Sequence, residues 1–214
     1  MTKIPCVPVL GCAVTAAVFL AGAGAALAQE DRPSIDCGAA SGVVTAMVCS
    51  DTQIGASDGR LARHVDSVVS ILEEDDSDDA AEAMTAFEES QEAWVATRDA
   101  CRRSGDPRAC VAEAYADREA QLVTTFQLEE PANTASYTCP GEAAGGLSIS
   151  FYDLETRAVR IEGAGDEAVT GKATTTVDGA KYALSSGQEV WVRKDVARFT
   201  AADGTSVTCL IEDG

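Results

Sequence analysis

The chain has 214 residues, of which 35 are acidic and 16 basic, giving a net charge of −19 and a pI near 4.2. Phosphate backbones would be repelled by such a surface, so nucleic acid is excluded as a partner; the charge suits a basic protein, or solubility alone. Aromatic residues make up 5% of the chain, so its cores have to be built from Ala and Val, and its domains have to be small.

Lys3 is followed by an apolar run from Ile4 to Ala28 that ends in Ala26-Leu27-Ala28, a small-x-small pattern, before the polar Gln29-Glu30-Asp31. Residues 1–28 read as a signal peptide, cleaved after Ala28, that delivers the chain to the periplasm. The rival is an uncleaved anchor, but Pro5, Pro8 and many Gly and Ala residues suit a membrane span poorly. Val9-Leu10-Gly11-Cys12 is similar to a lipobox, yet apolar residues continue well past Cys12, which argues against lipid anchoring there. Membrane association is expected only if the leader is retained or lipidated.

From Ser34 to Phe126 the pattern is helical. Cys37 to Cys49 spans about three turns with Ala40, Val43, Val44, Met47 and Val48 apolar. Ile54, Leu61, Val65, Val68 and Leu72 recur at helical spacing and predict a long amphipathic helix. The acidic run Glu73 to Asp79 interrupts it. That run lacks the glycine of a calcium-binding loop and reads as a solvated connection, with Ser77 placed to cap the next helix. Met84, Phe87, Trp94 and Cys101 form another helical face, with Trp94 read as core. Pro107 is placed to open a last helix carrying Ala114, Tyr115, Arg118, Leu122 and Phe126. The only histidine, His64, reads as a surface helix residue. With no nucleophile motif beside a base, the chain is not expected to be an enzyme, and no motif calls for a cofactor, a metal or a small-molecule substrate.

Cys37-x-x-Ala40, Val48-Cys49, Asp58, Gln91-x-x-Trp94-x-x-x-Arg98-Asp99-x-Cys101 and Ala109-Cys110 followed by Tyr115-x-x-Arg118 together resemble the LprI-like N-terminal domain. The resemblance covers nearly all of the helical segment. It implies an exported, disulfide-stapled all-α domain over residues 29–127. Two positions depart from the pattern: Thr45, where the family carries Glu, and Ser57, where an apolar residue precedes the Asp.

Residues 128–136, with Glu-Glu-Pro and Asn-Thr, read as a linker. From Tyr137 short alternating segments replace helices: Leu147-Ile149-Phe151, Ala158-Arg160-Ile161, Ala168-Val169, Lys181-Tyr182-Ala183, Val190-Trp191-Val192, Ala197-Arg198-Phe199 and Val207-Cys209. Gly and Asp turns separate them, as in a small antiparallel barrel or sandwich. The fold class is therefore α+β in two domains, the second a small antiparallel β-barrel over residues 137–214. Acidity belongs mainly to the first half: from Gln29 to Pro131 there are 23 acidic and 8 basic residues, and from Ala132 to Gly214 there are 12 and 7. Lys181, Arg193, Lys194 and Arg198 make one hairpin the cationic spot of an anionic protein.

Six cysteines follow the leader, an even number that reads as disulfides in an oxidising compartment. Their order favours nearest-neighbour pairing: Cys37 with Cys49, Cys101 with Cys110, Cys139 with Cys209.

Tyr137-x-Cys139, the closing Ser206-Val207-Thr208-Cys209, and the hairpin between them resemble the periplasmic or membrane-bound C-type lysozyme inhibitors. In that family a Ser-Gly-x-x-Tyr loop and a Trp-x-Lys strand plug the lysozyme cleft. Here the loop is Asp178-Gly179-Ala180-Lys181-Tyr182 and the strand Trp191-Val192-Arg193. The resemblance implies a basic C-type lysozyme as partner, met by Asp178, Gly179, Lys181, Tyr182, Arg193 and Lys194. Arg193 or Lys194 replaces the family's Lys. Asp178 replaces its Ser, bringing a third carboxylate toward the two catalytic ones. The competing expectation is a non-catalytic envelope-interaction protein whose helical domain docks another periplasmic partner.

Overall fold

The computed structural model describes residues 32–140, 146–163, 167–174 and 179–212. The leader, Cys12 and Asp178 lie outside the described residues. Four α-helices come first: α1 (Val43–Ser50), α2 (Thr52–Glu74), α3 (Ala80–Ala100) and α4 (Pro107–Phe126). Eight strands follow: β1 (Asn133–Thr138), β2 (Leu147–Tyr152), β3 (Ala158–Glu162), β4 (Val169–Thr174), β5 (Ala180–Leu184), β6 (Glu189–Arg193), β7 (Val196–Thr200) and β8 (Ser206–Ile211). They close in sequence order into an antiparallel barrel, as the alternating pattern predicts. Strand β1 starts at Asn133, four residues ahead of Tyr137, because Asn133–Ser136 pairs with β2 from Phe151 to Ser148.

The helix boundaries follow local chemistry. Asp51 accepts hydrogen bonds from the Gln53 and Ile54 N–H groups and so caps α2. Asp106 does the same for Ala109, with Pro107 at the first turn of α4. Helix α1 is shorter than expected, since Cys37 lies in a turn and Ala40 in irregular chain ahead of Gly42. Ser77 does not cap α3. Its N–H is taken by Asp75, and Asp79 occupies the cap position.

The cysteines pair as 37–49, 101–110 and 139–209. The first two staple turns of the helical half. The third joins the residue after β1 to β8, beside a β1–β8 ladder of only two residue pairs, Tyr137 with Ile211 and Thr138 with Leu210. So short a ladder closes the barrel weakly, and the covalent bond holds that seam together.

Two cores result. One fills the barrel with Tyr137, Leu147, Ile149, Val159, Ile161, Tyr182, Leu184, Val190, Ala197, Phe199 and Cys209. The other lies among the helices, built on Val48, Ile54, Leu61, Val68, Phe87, Val111, Tyr115 and Leu122. Helix α4 is buried on more than one face, from Val111 through Thr124, because α2 and α3 pack on one side of it and β3 and β4 on the other. Asp117 of α4 accepts from Thr156 at 3.1 Å and pairs with Lys172. Arg160 of β3 donates to the Thr124 and Thr125 carbonyls at 3.2 and 3.1 Å, satisfying orphan acceptors at the helix C-terminus.

The helical core contains a polar network. Tyr115 donates its hydroxyl to Asp58 Oδ1 at 2.8 Å, while Ser34 donates to Asp58 Oδ2 through both N–H and Oγ. Arg98 donates to the Tyr115 oxygen at 3.1 Å, pairs with Asp99, and lies 5.2 Å over the Trp94 ring. Trp94 donates to the Ala114 carbonyl at 3.0 Å. Arg118, 4% exposed, donates to Gln91, Gln121 and Ser90. These side chains fix how α3 and α4 cross α2, because each buried polar group needs its partner.

All four tyrosines are buried, and burial pushes every phenol above its ordinary value of 10.0. A raised folded-state pKa means the fold favours the protonated phenol. That stability is fully present below pH 10 and is lost as pH rises past it. Native protein should therefore show little phenolate absorbance at pH 10 to 11, whereas protein in strong denaturant titrates near 10. Early phenolate absorbance in the native state would contradict the burial.

Candidate functional site

The hairpin expected from the sequence is present, and its geometry follows from two turns. Ser185-Ser186-Gly187 joins β5 to β6, closed by Leu184 N–H to Gln188 O at 2.8 Å, with Gly187 at φ 78°. Lys194 and Asp195 join β6 to β7, and Lys194 takes φ 51°, a conformation that a non-glycine residue rarely adopts. These turn lengths set the register: Lys181 faces Trp191, and Trp191 faces Arg198. The pleat then sends Lys181, Trp191 and Arg198 to one side of the sheet, with Arg193 two residues along β6 on the same side. Tyr182, Val190 and Phe199 go to the barrel interior.

The predicted site residues therefore separate into two groups. Lys181, Arg193 and Lys194 lie on the outer surface, the latter two exposed. Tyr182 does not join them. It is 5% exposed, its ring lies 6.2 Å from that of Phe151, and burial raises its phenol. Adjacent strand residues point to opposite faces, so Lys181 and Tyr182 cannot both reach the same partner. Tyr182 supports the hairpin from inside. Asp178 lies outside the described residues, immediately ahead of Gly179.

Gly179 sits at φ 80° against the far strand. A methyl group there would come within 2.7 Å of the Val192 carbonyl oxygen and 2.9 Å of Trp191 Nε1. The loop is thus held tight against Trp191 and Arg193, which joins the two predicted segments into one surface. Beside Gly179 and Lys181 opens a mainly polar cleft of about 340 Å³, lined also by Glu155, Thr156, Arg157 and Thr174.

Two members of this surface are absent from the predicted site. Arg198 is one of the hairpin's cations, but only the register makes it the cross-strand neighbour of Trp191. Glu189 pairs with Lys181 Nζ at 2.7 Å. Both side chains are more than a third exposed, so the pair adds little stability, but it offsets part of the positive charge. The two turn lengths were the available signal for both, since they determine which residues face one another.

His64 is not the surface residue expected. Its side chain is 15% exposed and lies between Glu119 of α4 and Glu129 of the following connection. Among the described residues this is the group that could hold a metal ion. No helix among the described residues is long and apolar enough to cross a membrane.

Replacing Gly179 by Ala should cost about 1–3 kcal/mol, since the residue would need a left-handed conformation and space that the β6 backbone occupies. Chemical denaturation of the variant checks this. An unchanged midpoint would mean that the loop is not clamped to Trp191.

Comparison with known proteins bears on these features. Residues 37–122 match the family model described as Lysozyme inhibitor LprI. Lipoprotein LprI of Mycobacterium bovis and that of Mycobacterium tuberculosis are each 29% identical over 203 residues, covering 92% of this chain and 96% of theirs. An alignment of that span takes in helices and barrel together. No solved structure matches. Residues 37–122 are thus similar to the family described as Lysozyme inhibitor LprI, and the chain's likeness to lipoprotein LprI extends beyond them over most of its length.

Proposed function

We propose that this protein is an exported, non-catalytic lysozyme inhibitor of the periplasm, and that the β5–β6 hairpin carries the inhibition by entering the cleft of a C-type lysozyme. The observation that carries this reading is the outward row Lys181, Trp191 and Arg198 with Arg193 beside it, clamped by Gly179, on a protein of net charge −19. The family match supports a lysozyme as the partner. A glycosidase cleft of this kind holds a pair of carboxylates. A guanidinium brought between them in a water-excluded contact pairs bidentately, which an ammonium cannot do. The acidic remainder of the molecule speeds encounter with a basic enzyme without setting specificity. Three disulfides suit an oxidising compartment outside the cytoplasm.

A second reading has its own support: the family match ends at residue 122, before the barrel begins. On that reading the helical half makes the inhibitory contact, or docks a different envelope partner, and the barrel is carried along. Variants of the full chain separate the two. Arg193→Ala should weaken inhibition by roughly 2–5 kcal/mol in affinity if the guanidinium is buried against the catalytic pair. Asp178→Ser should strengthen inhibition by removing the charge that fits the cleft worst. Inhibition of a C-type lysozyme that is unchanged by both substitutions would move the contact off the hairpin and favour the helical half.

A further inference from the structure

We propose that His64, Glu119 and Glu129 form a binding site for a divalent transition-metal ion of the zinc class, which ties the connection after α4 to helix α2. The three side chains come from three segments that the fold brings together. His64 is on α2, Glu119 faces it from α4, and Glu129 follows Gln127, whose left-handed conformation (φ 53°) turns the chain out of α4. One imidazole nitrogen and one oxygen of each carboxylate all lie within 4.8 Å of one another. Glu129 Oε1 is 3.3 Å from His64 Nε2, and Glu119 Oε1 is 3.9 Å from His64 Nδ1. Zinc–ligand bonds are about 2.0–2.2 Å long for nitrogen and oxygen, and an ion takes one ring nitrogen only, so the exposed Glu129 or the imidazole has to turn for both carboxylates to share it with that nitrogen.

Three further features fit a cation. His64 Nδ1 is buried and has no hydrogen-bond partner among the described residues, although a buried ring nitrogen normally has one. Glu119 is only 6% exposed, and Arg60 holds both of its oxygens, Nε to Oε1 at 3.1 Å and Nη2 to Oε2 at 3.4 Å. A carboxylate ligand is commonly oriented by a second partner in this way. Two carboxylates face one guanidinium, so the cluster keeps one net negative charge for a cation to meet.

The donor set selects the class. Imidazole with carboxylates suits zinc and its transition-metal neighbours, whereas calcium and magnesium take oxygen ligands. Three protein ligands leave a fourth position for water. Arg60 also reaches Glu155 of the β2–β3 connection at 3.7 Å, so the site adjoins the contact between helices and barrel.

The test uses the untagged full chain, stripped with a chelator and then titrated with zinc chloride by calorimetry, with parallel thermal melts. One equivalent should bind and raise the melting temperature. Glu129→Gln alters an exposed side chain, so it should leave the melting temperature of the metal-free protein unchanged while weakening zinc binding by roughly tenfold or more. His64→Gln should weaken binding by at least as much. The proposal is overturned if zinc binds the Glu129→Gln variant as tightly as the parent. It is equally overturned if magnesium or calcium chloride at the same concentration stabilises the parent as much as zinc does, because the effect is then one of general charge screening.

Discussion

Helix α4 has to satisfy two surfaces at once, and the rest of the molecule is arranged around that constraint. Its inner side carries Tyr115 and Leu122 into the helical core. Elsewhere Asp117 engages Thr156 and Lys172 of the barrel. A helix covered by both halves cannot be polar all round, which explains the buried Ala116, Ala120 and Thr124 at positions that would otherwise face water. Thr124 satisfies its own hydroxyl by donating to the Ala120 carbonyl. Because α4 packs on β3 and β4, the cationic row on β5, β6 and β7 lies beyond the strands that the helices cover most.

The residues that identify the helical half are those that build it. Asp58, Trp94, Arg98 and Tyr115 are spread over α2, α3 and α4, yet they meet in one network, with Arg118 holding Ser90 and Gln91 beside it. Their chemistry is that of mutual satisfaction: phenol to carboxylate, guanidinium to phenol, indole to backbone carbonyl. Taking away one member strands the others, which costs more than the lost bond. Such a network explains a recognisable sequence pattern without any ligand. The cationic hairpin is different: its outward side chains lie off the barrel interior, and the proposed lysozyme contact would use them.

Much of this was legible in the chain. Period-two alternation located the strands from Leu147 onward, because inward Val, Ile and Ala residues repeat against polar ones. The order of the cysteines favoured the pairing that the structure has, although Cys139 and Cys209 lie 70 residues apart. What was missed depended on residues far apart in sequence. His64 looked solvated because its neighbours on α2 are polar, but its own neighbours in space, Glu119 and Glu129, are more than fifty residues away. Tyr182 was misplaced for a different reason. The motif joined Lys181 and Tyr182 as one loop, whereas strand β5 begins at Ala180 and sends the two side chains to opposite faces. The alternation that revealed the strand already contained that answer.

The central claim is that the hairpin, and not the helical half, meets lysozyme. Amide hydrogen exchange of the full chain with and without a C-type lysozyme tests it most directly. The account predicts slowed exchange confined to residues 179–181 and 191–195, with the amides of α2 and α3 unchanged. Protection on the helices with none at the hairpin would contradict it.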